Sequence, residues 1–288
     1  MVPIEAIDSR VATDRVVVKV KVNASPARVY TALTDPALTT RWFGDLNGAI
    51  EPGRHVRLDF GDGDFFDIDD IVVDRPRSIA YRWRFLGIMP ADEIRWSIEP
   101  TESGALVTVT DREPFRAPEW ADAVRQGWND FTSRLSTFLA CGQSTRYDWR
   151  RTFDGGVELP CPPVDAMTIV KDPVLAVKWL PTTQGLIEGA RFVPGDGLEP
   201  SIVHVGEVVS DGPTAVRFKM ISRQWQAATG CTVEARPSGV GTLLTLEHSG
   251  WEDIDEDDEI QRMQRRRFAD MWISALRRAC DLFTIRGR

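Results

Sequence analysis

Cysteine, histidine and tyrosine are scarce in this chain, and basic charge does not dominate it. The four cysteines (Cys141, Cys161, Cys231, Cys280) form no CxxC pair and keep no ligand-like spacing with the three histidines, His55, His204 and His248. That pattern argues against a disulfide framework and against a zinc site. MVPIEAIDSRVATD at the N-terminus carries acids and no apolar h-region, so reduced thiols and a cytoplasmic location are expected. No apolar run approaches the roughly 18 residues of a membrane span. A net charge of −8 and a pI of 5.1 lack the basic surface typical of a nucleic-acid binder. Also missing are a P-loop, GxSxG, HExxH and a Gly-rich dinucleotide fingerprint behind a strand. No metal and no cofactor are expected.

What the chain does have is a sentence said twice. PARVYTALTDPALTTRW (26–42) meets PVDAMTIVKDPVLAVKW (163–179) without a gap, at a constant offset of 137. Pro, Thr, Asp-Pro, Leu and Trp coincide, and Arg41 answers Lys178. A repeat of domain length means two copies of one domain, and 288 residues accommodate two. We expect domains at 12–142 and 146–288. Two copies in one chain leave intramolecular packing between them open.

Each copy reads as α+β. Arg15–Val22, RVVVKVKV, alternates as a strand. Ser25-Pro26 and Asp35-Pro36 then start two short helices, since Ser and Asp cap and Pro suits the first turn. Strands are predicted near Arg54–Phe60, Phe65–Val73, Ser78–Phe85, Glu93–Glu99 and Ala105–Asp111, separated by short turns that imply an antiparallel meander. GDGDFFD (61–67) resembles a calcium loop but lacks its later bidentate Glu, and reads as a hairpin turn. After Pro118 the period changes, with Trp120, Val124, Trp128, Phe131, Leu135 and Phe138 on one helical stripe. The second copy repeats the order, with strands near Tyr147–Glu158, Arg191, Ile202–Val209, Thr214–Met220, Gln226–Ala235 and Thr242–His248. Its closing helix carries Ile260, Met263, Phe268, Met271, Trp272, Ala275, Leu276, Ala279 and Phe283 on one stripe, and Arg265-Arg266-Arg267 is expected on the solvated face.

NASPARVYTALTDPALTTRWF (23–43), VVDRPRSIAYRW (72–83), QGWNDFTSRLSTFL (126–139) and TLLTLEHSGW (242–251) together resemble the heat-shock ATPase activator homologues. These belong to the START and birch-allergen (SRPBCC) superfamily. The resemblance implies two tandem helix-grip domains, each a curved antiparallel sheet wrapped around a long C-terminal helix. It also implies kinship with START-like proteins of enediyne antibiotic clusters. The copies differ where one ends its last strand as TDREPF and the other as EHSGW. Their cavities therefore need not take the same molecule, and one copy can be a scaffold.

Ten tryptophans are a heavy load for this length. Trp42 and Trp179 are expected to anchor the second short helix of each copy. Tyr81, Trp83, Trp96, Trp128, Phe131, Phe218, Trp225, His248, Phe268 and Trp272 are candidates for a ligand-binding cleft under the closing helix. Core packing is the competing account of the same rings. Arg82 and Arg84 alternate with the aromatics and are expected outside. Three functions stay open. The first is non-enzymatic binding of a hydrophobic or polycyclic aromatic small molecule, in natural-product biosynthesis or self-resistance. The second is a polyketide cyclase or dehydratase using His248, paired with Glu207 or Glu234, as general base. The third is a co-chaperone-like interaction module.

Overall fold

The structure, a computed structural model, describes residues 6–12, 14–113, 118–180, 186, 191–192, 204–239 and 241–286. By their contacts these residues form two compact units. One comprises the chain up to Gly61 together with Phe65–Asp148, the other Asp62–Asp64 together with the chain from Trp149 onward.

The first unit is an eight-stranded antiparallel sheet ordered β1-β2-β8-β7-β6-β5-β4-β3. Its strands are β1 (Ala6–Ala12), β2 (Arg15–Val22), β3 (Asp45–Leu46), β4 (Val56–Asp59), β5 (Phe65–Asp74), β6 (Ser78–Phe85), β7 (Ala91–Thr101) and β8 (Gly104–Arg112). The N-terminal strand β1 was not foreseen, because AIDSRVA has no clean alternation to announce it. On β2, Val16, Val18, Val20 and Val22 are buried while Arg15, Lys19 and Lys21 face out or lie at the margin, as period two requires. Helices α1 (Pro26–Thr34) and α2 (Pro36–Thr39) follow β2. The Asp35 carboxylate accepts from the Ala37 amide at 2.8 Å and caps α2, an interaction worth about 1 kcal/mol. The Trp42 indole, fully buried, donates to the Ala32 carbonyl at 2.9 Å and ties the end of the motif back to α1. Helix α3 (Pro118–Cys141) lies against β2 and ends at Gly142, whose φ of +69° suits glycine.

The second unit has a six-stranded sheet ordered β10-β11-β12-β13-β14-β9. These strands are β9 (Phe153–Leu159), β10 (Arg191–Phe192), β11 (His204–Asp211), β12 (Ala215–Ser222), β13 (Thr229–Ser238) and β14 (Gly241–Ser249), with helices α4 (Pro163–Lys171), α5 (Pro173–Trp179) and α6 (Asp258–Arg286). Strand β9 begins at Phe153 rather than near Tyr147. The offset of 137 holds far beyond the helical signature: α1 and α4, β6 and β12, and β8 and β14 have matching bounds. The register agrees too, for Tyr81 pairs with Ile94 and Ile94 with Asp111, as Phe218 pairs with Cys231 and Cys231 with His248. Both sheets carry a bulge in the corresponding strand, between Asp69 and Val72 in β5 and between Val208 and Ser210 in β11, which bends that strand and there shifts the offset to 138. Trp179 repeats the anchor, donating to the Ile169 carbonyl at 2.8 Å.

Two expectations about α6 are corrected. Ile260 and Met263 are 36% and 43% exposed, because the inward positions of the first turns belong to Gln261, Gln264 and Arg265. Arg265 is not on a solvated face but fully buried. Its Nη1 lies 2.8 Å from Asp64 Oδ1 and donates to the Asp62 carbonyl at 2.8 Å, while Nη2 donates to the Thr152 carbonyl at 2.9 Å. Arg150 Nε reaches Asp64 Oδ2 at 2.8 Å. The loop between β4 and β5 is thus a hairpin turn, as expected, yet its two aspartates are buried ion-pair partners. Gly63 between them has φ +101°, and a Cβ there would sit 2.6 Å from that of Ala269, so no larger residue fits. Burial pushes the Asp64 carboxyl above its ordinary value, against the pull of Arg150 and Arg265. Arg265→Met, which leaves two buried carboxylates short of a cation, is expected to cost about 3–5 kcal/mol, read as a lowered midpoint in guanidinium unfolding.

Candidate functional site

In the first unit the inner face of the sheet is aromatic. Tyr81, Trp83 and Phe85 alternate along β6 and point one way, Phe66 of β5 pairs with Phe85, and α3 contributes Trp128 and Phe131. Phe66 and Trp83 stack at 3.9 Å and 13°, and Trp83 and Trp128 at 5.0 Å and 13°. Trp96 and Phe131 meet Trp128 edge-on at 5.4 and 5.9 Å. Such pairs contribute about 0.5–1.5 kcal/mol each beyond area burial.

Every indole in this stack has an acceptor. Trp83 Nε1 donates to Asp92 Oδ2 at 3.2 Å, Trp96 Nε1 to Tyr81 Oη at 3.0 Å, and Trp128 Nε1 to Asp111 Oδ2 at 2.7 Å. Asp111 is only 2% exposed, a carboxylate at the inward end of β8. Burial pushes the Tyr81 phenol well above its ordinary value, and the Asp111 charge adds to this while the Trp96 bond opposes it. The phenol therefore stays protonated in neutral solution.

In the second unit the positions 137 residues on from Tyr81, Trp83, Trp96 and Asp111 are Phe218, Met220, Val233 and His248. Trp272 Nε1 donates to His248 Nδ1 at 2.9 Å, the same helix-to-strand bond that Trp128 makes to Asp111. Aligning α3 and α6 on this bond sets Ala275 and Ala279 opposite Phe131 and Leu135, and Phe268 opposite Val124. His248 Nε2 lies 2.6 Å from Thr229 Oγ1. An indole N–H can only donate, so Nδ1 accepts and the ring is neutral, with its proton on Nε2 facing the threonine oxygen. The basic lone pair is thereby occupied. Glu234, expected as a carboxylate partner, instead pairs with Arg236 at 2.8 Å. Trp251 and Phe268 pack on the imidazole at 4.1 and 5.2 Å, Trp225 packs on Trp251 at 5.7 Å, and Phe218 meets Trp272 at 6.1 Å.

The structure thus gathers the ten expected residues into two clusters. Tyr81, Trp83, Trp96, Trp128 and Phe131 lie in the first unit, and Phe218, Trp225, His248, Phe268 and Trp272 in the second. Sequence reasoning missed Phe66, Phe85, Asp92, Asp111, Thr229 and Trp251. Asp111 did leave a signal, since Ala105, Val107, Val109 and Asp111 share one strand face and a charge ends an apolar series. Among the described residues no group of three or more His, Cys, Asp or Glu is placed to hold a metal ion, and no helix is long and apolar enough to cross a membrane.

A family model described as Activator of Hsp90 ATPase homolog 1-like protein matches residues 23–140. The crystal structure of DynU16, from the dynemicin biosynthetic locus, is 32% identical, with a TM-score of 0.81 over 94% of this chain and 99% of that one. The chain belongs to the Activator of Hsp90 ATPase homolog 1-like family. This family membership carries the SRPBCC-type helix-grip fold seen in both units. CalU16 from Micromonospora echinospora is 22% identical over 43% of this chain and 73% of its own, with a TM-score of 0.39. MLL2253 from Mesorhizobium loti is 20% identical over 44% of this chain and 96% of its own, with a TM-score of 0.40. No curated protein matches the chain.

Removing either indole donor tests the shared bond. Trp128→Phe and Trp272→Phe are each expected to lose about 1–3 kcal/mol in urea unfolding. The Trp128 change should cost more, because it strips a hydrogen bond from a buried carboxylate rather than from a neutral ring.

Proposed function

We propose that this protein binds a hydrophobic or polycyclic aromatic small molecule between sheet and closing helix, without converting it chemically. The observation that carries the reading is the parallel stack of Phe66, Trp83 and Trp128 on the inner face of the first sheet. Small-molecule sites are typically apolar and aromatic with a few fixed polar groups, and here Asp92 and Asp111 fix the indoles. Flat ligand rings can extend such a stack by the same offset geometry. The likeness to DynU16 supports a role in a natural-product pathway of the enediyne kind, as carrier or in self-resistance. The tautomer of His248 supports binding over general-base chemistry, because its lone pair is engaged. We place the bounds of the two copies near 12–142 and 146–288.

Tryptophan fluorescence and thermal shift against a panel of anthraquinones, other polycyclic polyketides, sterols and fatty acids test this. Saturable quenching with a raised melting temperature for flat multi-ring compounds is expected, and mass spectrometry of the same sample should recover the compound unchanged. A response to sterols and fatty acids alone would refute the aromatic class. A converted product would refute the carrier reading.

A further inference from the structure

The aromatic stack of the first unit has a middle and two ends, and these differ in what they can offer a ligand. Trp83 lies in the middle. Phe66 is parallel to it at 3.9 Å and Trp128 at 5.0 Å, both at 13°. Two rings so close and so parallel would overlap on one side of the indole, so they cover its opposite faces. Trp83 therefore has no face left for another ring, and it is 4% exposed. The Trp128 end is closed as well. Trp96 and Phe131 meet Trp128 edge-on, and Trp128 and Trp96 are 2% and 1% exposed.

The Phe66 end is different. Phe66 is half-buried, and besides Trp83 its ring neighbours are Phe85 at 5.1 Å and 43° and Phe60 at 6.1 Å and 76°. Neither is parallel to Phe66, so among the described residues no ring stacks on its second face. Phe85 and Phe131 are half-buried too. The inner rings that keep solvent contact are thus phenylalanines, while the tryptophans are shut in. A physical reason underlies this division. A buried indole N–H needs an acceptor, and Trp83, Trp96 and Trp128 each donate to one, which fixes their orientation. A phenyl ring has no polar atom to satisfy, so it can exchange water for ligand without breaking a hydrogen bond.

We infer that the ligand joins this site as the next ring of the stack, face to face with Phe66 and beside Phe85, and that Trp83, Trp96 and Trp128 are braces that do not touch it. This rests on the binding reading above and narrows it to one surface.

The full chain is titrated calorimetrically with 2-(hydroxymethyl)anthraquinone, a flat, neutral, three-ring probe. Phe66→Leu keeps apolar bulk but removes the ring face, and is expected to weaken binding about fivefold or more. Phe66→Tyr restores the face and should stay within about twofold of the parent chain. Trp96→Phe gives up the bond to Tyr81 but no ligand contact. It should lower the melting temperature and leave the affinity within about twofold of the parent. Undiminished binding by Phe66→Leu overturns the placement. So does a folded Trp96→Phe chain that loses as much affinity as Phe66→Leu. Should Phe66→Leu melt early, nuclear Overhauser contacts in the unsubstituted chain decide. Contacts from the probe to phenylalanine ring protons and none to indole protons are expected, and the reverse overturns the placement while leaving the binding function standing. No binding of the probe by the parent chain refutes the binding function for this class of ring, and the placement with it.

Discussion

In each copy an indole of the closing helix donates a hydrogen bond to the end of the last long strand. Trp128 donates to Asp111 and Trp272 to His248. A helix laid across a curved sheet has many apolar ways to settle, since hydrophobic burial has no direction. A buried donor that must find one acceptor selects among them. The bond therefore fixes which residues of the helix look into the cleft: Phe131 and Leu135 in one copy, Ala275 and Ala279 in the other. The same constraint explains why a charged residue is tolerated at the inward end of β8, where a carboxylate without such a donor would be expensive.

Duplication followed by divergence is readable position by position, because the register across β6, β7 and β8 is kept in β12, β13 and β14. Tyr81, Trp83 and Trp96 correspond to Phe218, Met220 and Val233, and the corresponding strands β5 and β11 each carry a bulge. The first copy lines the face between sheet and helix with stacked rings whose N–H groups need acceptors. The second uses smaller apolar side chains and a neutral imidazole held between Thr229 and Trp272. Family membership follows from the frame that both copies share. Binding character is a matter of what hangs on the frame, and there the copies part company.

The second unit also shows how a buried charge is accommodated. Arg265 is surrounded by two carbonyls and the Asp64 carboxylate, with Arg150 closing the cluster. The aspartates come from Asp62–Asp64, far away in sequence. Gly63 between them is required by its positive φ and by the proximity of Ala269.

The sequence by itself determined the duplication, the order of elements and the two helix-starting motifs, because these rest on local rules. Asp35 and Asp172 cap where an Asp-Pro pair must cap, and Trp42 and Trp179 return to the preceding helix because ten residues of chain allow little else. It also named most of the aromatic residues, since alternation along β6 and the helical period of α3 place them on one face. Only the tertiary structure decided what those rings do. Whether Trp83 faces another ring or open space depends on Phe66 and Trp128, brought from a different strand and a distant helix. Whether His248 can act as a base depends on which N–H points at Nδ1, and that N–H belongs to Trp272. The reading of Arg265 as solvated had the same cause. Charge in a helix signals exposure unless a distant segment supplies carboxylates, and no local pattern announces that Asp62 and Asp64 will be the ones to do so.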